Sequence, residues 1–103
     1  MTVYLNGEFM PMAEARIPVL DRGFIFGDGV YEYVPVYSRK PFRMREHLGR
    51  LQASLDSIQL ANPLDATGWA QCLDTLIAAQ DFDDQAVYIQ ITRGVAPRDA
   101  AFP

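Results

Sequence analysis

Residues 30–37, VYEYVPVY, alternate with the period of a β-strand, and this stretch constrains the fold more than any other. A period of two places Val30, Glu32, Val34 and Val36 on one face and Tyr31, Tyr33 and Tyr37 on the other. A carboxylate set among valines is costly to bury alone, so Glu32 calls for a cation or hydrogen-bond donors, with Arg22 and Arg93 as the expected partners. Pro35 cannot donate to a ladder, which predicts an edge or a bulge. Phe42–Met44 is expected to return as the pairing strand.

Around this strand the remaining elements follow in order. Thr2–Leu5 and Glu8–Met12 flank Asn6-Gly7, the strongest short-range hairpin signal. Residues 13–29 read as irregular, because Gly23, Gly27 and Gly29 crowd together without matching a dinucleotide fingerprint or a phosphate loop. Leu48, Leu51, Leu55 and Ile58 form the stripe of an amphipathic helix over roughly 45–60, and Asn62-Pro63 ends it. Trp69, Leu73, Leu76 and Ile77 predict a second helix from Thr67 to about Gln80. Ala86–Arg93 is expected to be a closing strand that leads into a turn at Gly94–Pro97. The expected class is α+β, a mainly antiparallel sheet with two helices packed on one side.

A chain of 103 residues allows one small core. Thirteen acidic against nine basic side chains, a net charge of −4, argue against a general nucleic-acid or anionic-membrane surface. Strictly apolar runs stay short, and the start MTVYLNGE has no signal-like core, so the reading is of a soluble, cytoplasmic protein. The lone Cys72 permits no internal disulfide, and a single histidine with a single cysteine argues against a metal site.

Several side chains have a plain reading and a chemical one. Arg50 follows Glu46 by four residues, the spacing of an exposed helical ion pair, and it also offers a planar fork of donors suited to phosphate. His47 lies one turn before Arg50, to pack or to orient it. Tyr31 and Tyr33 are strand-forming aromatics, yet on one face they also present hydroxyls above an apolar floor. Arg93 and Arg98 frame a tight turn, with Arg93 assigned to structure. Lys40, the one lysine, sits in the hairpin-like SRKPF.

The runs DRGFIFGDGVYE (Asp21–Glu32), EHLGRL (Glu46–Leu51) and TRGVAPR (Thr92–Arg98) resemble, in order and over almost the whole chain, the amino-terminal domain of the class IV aminotransferases, the fold-type IV pyridoxal phosphate enzymes. The VYE variant and the second arginine in RGVAPR look most like D-amino acid transaminases. The resemblance implies Arg50 as the ligand of the pyridoxal phosphate phosphate group, Tyr31 as a holder of the substrate carboxylate, and Tyr33 as part of the side-chain pocket. It implies Arg98 as a carboxylate-binding arginine lent across a homodimer interface. In D-amino acid transaminases a histidine typically stands two positions after that arginine, where this chain has Ala100, so the carboxylate trap is one group short. The Schiff-base lysine of the family belongs to a carboxyl-terminal domain beyond Pro103, so residues 1–103 are expected to be an amino-terminal domain that is inactive alone. The implied reaction moves an amino group between an amino acid such as D-alanine and a 2-oxo acid. Branched-chain aminotransferases and 4-amino-4-deoxychorismate lyases, which use the same cofactor, share DRG, GDG and the helix arginine, and a non-catalytic binding module is the rival outside the enzymes.

Overall fold

The computed structural model of the chain describes residues 1–95. Strands β1 (Thr2–Leu5) and β2 (Glu8–Pro11) pair antiparallel, with Leu5 opposite Glu8. Their turn needs two left-handed residues in succession, which Asn6 (φ 50°) and Gly7 (φ 90°) supply. Tyr4 and Phe9 face each other edge to face at 5.0 Å across the pair. The hairpin is tied to the rest of the chain by Gln80, whose amide donates to Thr2 O at 2.8 Å and accepts from Thr2 N–H at 3.4 Å.

The stretch expected to be irregular holds a short helix, α1 (Arg22–Phe26). Asp21 caps it by accepting the Gly23 N–H at 2.8 Å, and Gly27 ends it in the left-handed conformation, φ 65°. The glycines that suggested a break therefore act as the helix's terminator and as sites of close approach. Gly29 is one such site: a Cβ there would lie 2.6 Å from Ile91 O and 3.1 Å from Thr92 Cα, both backbone atoms. Gly29→Ala is expected to cost about 1–3 kcal/mol through forced backbone displacement. Urea unfolding checks this, and an unchanged midpoint would mean that the two strands separate easily at this corner.

Strand β3 (Gly29–Tyr37) is the middle of a second antiparallel sheet. Along one side runs β5 (Gln85–Thr92), in register from Gly29 opposite Thr92 to Val36 opposite Gln85. Along the other side lies β4, only Lys40–Pro41, reached through the left-handed Ser38 and Arg39. Phe42–Met44 is thus not the returning strand. Arg43 turns left-handed (φ 55°) and Met44 already begins α2 (Met44–Ser57), so the strand partner ends three residues earlier than expected, at Pro41. Because β4 reaches only Val36 and Tyr37, with one further bond from Phe42 N–H to Pro35 O at 2.8 Å, residues 29–34 of β3 have no strand on that side among the described residues. Pro35 marks where that open edge begins, as the missing donor requires.

Helix α3 (Ala66–Ala78) follows, with Asp65 accepting the Gly68 N–H at 2.7 Å as its cap. The buried face of β3 carries Glu32, Val34 and Val36, and β5 adds Val87 and Ile89. Leu51 and Leu55 of α2 and Trp69, Leu73 and Ile77 of α3 close the core over this face. On the other face Tyr31, Tyr33, Tyr37 and Tyr88 are exposed. The architecture is therefore α+β, as expected, with the antiparallel strands divided between two sheets and the two long helices on one side of the larger one. Among the described residues no helix is long and apolar enough to cross a membrane.

Candidate functional site

Leu51 and Leu55 fix which way α2 faces, since both are fully buried against the sheet. With that rotation set, His47, Arg50 and Ser54 form a stripe along the helix flank at spacings of three and four. This flank crosses the open edge of β3. There Tyr31, Glu32, Tyr33, Arg50 and Ser54 line an open cleft of about 460 Å³. A larger groove between α2 and α3 is lined by Leu48, Leu64 and Trp69 with Arg45, Gln52 and Asn62, and there Trp69 donates to Asn62 and Asn62 to Gln52.

Glu32 organises the cleft from beneath. Its Oε2 accepts from Arg50 Nε at 3.0 Å, and its Oε1 accepts from Arg50 Nη2 at 2.5 Å, from His47 Nδ1 at 2.9 Å and from the Tyr33 N–H at 3.3 Å. An ionised carboxylate only accepts, so the His47 Nδ1 carries the proton in this bond. Arg22 and Arg93, the partners expected for Glu32, are engaged elsewhere. Nor does Arg50 pair with Glu46 among the described residues; it reaches back 18 positions to β3 instead. The long-range pair wins because Glu32 is only 3 % exposed and must be satisfied, whereas an exposed carboxylate has water.

The Arg50 guanidinium, then His47 and the Tyr33 amide, hold the Glu32 carboxyl down to about 2 from an ordinary 4.5, against the opposing effect of burial. Glu32 in turn raises the pKa of Arg50, so the guanidinium stays charged. A folded-state value below the unfolded one means that Glu32 stabilises the protein above about pH 4.5 and that this contribution is lost as the pH falls toward 2. The bare conversion is about 3 kcal/mol, and solvent around the exposed Arg50 lowers it to about 2 kcal/mol. Urea midpoints are expected to stay level from pH 7 to 5 and to drop between pH 4.5 and 3, less steeply in Glu32→Gln. A level curve down to pH 3 would show that the pair does not form.

Arg22 and Arg93 meet instead at Asp28, which sequence reading did not single out. Their Nε atoms each donate to Asp28 Oδ2 at 2.9 Å, with all three side chains buried. Burial pushes the Asp28 pKa up, and the two guanidinium groups together more than offset it, so the net shift is downward. Arg93 also donates through Nη2 to Ile58 O at 2.6 Å, beyond the end of α2. The expected structural role of Arg93 thus holds, with a different partner.

Tyr31 and Tyr33 stand on the exposed face as the alternation required. Tyr88 lies between them, stacked on Tyr31 at 5.8 Å and edge to face with Tyr33 at 6.4 Å. Arg98 and Ala100 lie outside the described residues. Lys40 is exposed on β4, away from the cleft-lining residues. No group of three or more metal-ligating side chains occurs among the described residues. The donors at the cleft suit an anion: Arg50 is 68 % exposed there, permanently charged and already fixed on one edge.

A family model, amino-transferase class IV, matches residues 29–103. The D-alanine aminotransferase of Staphylococcus haemolyticus is 40 % identical over 101 residues, which are 98 % of this chain and 36 % of that protein. The chain thus spans little more than a third of the length of that curated relative. Among solved structures, a branched-chain amino acid aminotransferase from Escherichia coli superposes with a TM-score of 0.87 over 95 % of this chain and 34 % of its own, at 22 % identity, a likeness of fold. The 4-amino-4-deoxychorismate lyase of Pseudomonas aeruginosa superposes with a TM-score of 0.70 at 32 % identity, over 84 % of this chain and 31 % of its own.

Proposed function

This chain belongs to the class IV aminotransferases, and from that membership we propose that it is the amino-terminal, cofactor- and substrate-binding part of a pyridoxal phosphate transaminase acting on D-amino acids such as D-alanine. The observation that carries this reading is the exposed guanidinium of Arg50, held in place over a cleft that Tyr31 and Tyr33 line. Bound pyridoxal phosphate supplies the electron sink for the proton shift that turns an amino acid into a 2-oxo acid. Arg50 holds the phosphate by charge-assisted hydrogen bonds and so fixes the ring relative to β3. The Tyr31 hydroxyl donates to the substrate carboxylate, and Tyr33 bounds the space for the substrate side chain. Arg98 of the partner subunit completes the carboxylate site with a bidentate pair, which sets substrate orientation.

The lysine that holds the cofactor comes from a carboxyl-terminal domain, since Lys40 is exposed on β4 outside the cleft. The working unit is a cytoplasmic homodimer, and the 103-residue chain alone is inactive. D-Alanine aminotransferases at 40 % identity favour the D-amino acid assignment. The 32 % identity to a 4-amino-4-deoxychorismate lyase supports a second reading, in which the same cofactor eliminates pyruvate. Assays of the complete protein separate them: turnover of D-alanine with 2-oxoglutarate is expected, and turnover of aminodeoxychorismate in its place would make it the lyase. Absence of a reduced cofactor adduct after borohydride treatment would leave a non-catalytic binding module.

A further inference from the structure

A guanidinium has two edges that each present a parallel pair of donors, one made by Nε with an Nη nitrogen and the other by the two Nη nitrogens. On Arg50 the first edge is taken. Oε2 of Glu32 accepts from Nε at 3.0 Å and Oε1 from Nη2 at 2.5 Å. The second edge, with Nη1, has no protein acceptor among the described residues, and the side chain is 68 % exposed at the cleft with Tyr31, Tyr33 and Ser54. Glu32 is itself fixed: it is 3 % exposed and held further by His47 Nδ1 at 2.9 Å and the Tyr33 N–H at 3.3 Å. A long side chain this exposed would ordinarily sample many rotamers, and here it cannot.

We propose that Glu32, locked by His47, is a positioning residue that presents the terminal Nη1–Nη2 edge of Arg50, and only that edge, to a phosphate monoester in this cleft. The proposal rests on Arg50 being the phosphate ligand and goes beyond it by naming what holds that ligand and which edge binds. Ordering the side chain before the ligand arrives raises affinity by about 3- to 10-fold, the cost that each binding event otherwise meets in freezing a flexible group. The negative charge of Glu32 opposes the phosphate. The guanidinium stands between the two, and solvent at the cleft screens the repulsion, so the gain from order prevails.

The test compares binding of pyridoxal phosphate with binding of pyridoxal, which lacks the phosphate, to the complete protein as wild type, Glu32→Gln, Arg50→Ala and the double variant. Glu32→Gln is expected to weaken pyridoxal phosphate about 3- to 10-fold, to leave pyridoxal unchanged, and to add nothing in the Arg50→Ala background. Equal weakening of both ligands, or the same loss in the Arg50→Ala background, would overturn the proposal, because Glu32 would then be shaping the cleft and not Arg50. If Arg50→Ala weakens pyridoxal phosphate and Glu32→Gln does not, the phosphate role of Arg50 stands and the positioning role falls. If Arg50→Ala changes nothing, the phosphate assignment itself has failed. Should the Gln variant fold poorly, nitrogen-15 spectra of the wild type decide: pyridoxal phosphate is expected to shift the Arg50 Nη signals and leave Nε–H in place. A displaced Nε–H would mean that phosphate takes the edge assigned to Glu32, and the proposal would be wrong.

Discussion

Replacing Asp28 with Ala is expected to destabilise this chain by about 3–5 kcal/mol, the largest effect of any single change discussed here. One oxygen, Oδ2, accepts from the Nε atoms of both Arg22 and Arg93 at 2.9 Å, and those side chains are only 3 % and 8 % exposed. Without the carboxylate the two buried guanidinium groups lose the anion they share. Backbone bonds converge on the same corner, Asp28 N–H donating to Arg22 O and Arg93 N–H to Asp28 O, and Arg93 Nη2 donates to Ile58 O, so the carboxylate lies where α1, the start of β3, the exit of β5 and the end of α2 meet. Against a typical domain stability of about 5–15 kcal/mol, such a loss leaves a large unfolded fraction near body temperature. Asn at 28 keeps the shape and removes the charge, so an intermediate loss is expected. Urea unfolding of the three proteins checks the order, and an Ala variant within 1 kcal/mol of wild type would show that the guanidinium groups relocate to water.

Leu51→Ala is the second large effect, about 2–5 kcal/mol. Leu51 is fully buried beneath α2, packed with Val34, Val36 and Leu55, so truncation leaves a void that the sheet cannot readily fill. The consequence extends beyond stability, because the packing of Leu51 and Leu55 sets the rotation of the helix that carries His47 and Arg50. A loosened α2 is expected to broaden the Arg50 Nε–H signal even at temperatures where the variant remains folded. Thermal unfolding measures the first effect. A loss comparable to that of Leu48→Ala, at a partly buried position, would mean that the core had collapsed around the missing atoms.

How far these features could be read from sequence depended on the range of the interactions. The Asn6-Gly7 turn, the alternation of residues 30–37 and the stripes of Leu51, Leu55, Trp69 and Leu73 are local patterns, and each formed nearly where its spacing put it. Helix α1 was missed because three glycines outweigh five residues of weak helical preference, while the signals that sustain it are a single cap at Asp21 and a left-handed end at Gly27. The turn at Arg43 was missed for a related reason: nothing in the residue type announces a positive φ. Glu32 does need partners, as its place among valines predicts, but they are Arg50, His47 and the Tyr33 N–H and not Arg22 and Arg93. Two carboxylates and three arginines could be paired in several ways, and the choice between Asp28 and Glu32 is made by α2 crossing the sheet, a contact that spacing along the chain does not encode. The phosphate-binding assignment of Arg50 came from resemblance, whereas its clamp by Glu32 came only from the three-dimensional arrangement.

The uncovered side of β3 carries a hazard that the same residues restrain. An open strand edge is a template on which a second chain can add itself, and long, flat, apolar edges seed aggregation. Here the backbone groups of Tyr31, Tyr33 and Pro35 point to that side, since the Pro35 carbonyl accepts from Phe42 and successive residues alternate. Proline withdraws one of the donors an incoming strand would use, the Tyr33 N–H is turned onto Glu32, and the charged Arg50 lies across the gap. Glu32 and Arg50, which ready this edge for a small anion, thus also help to deny it to another polypeptide.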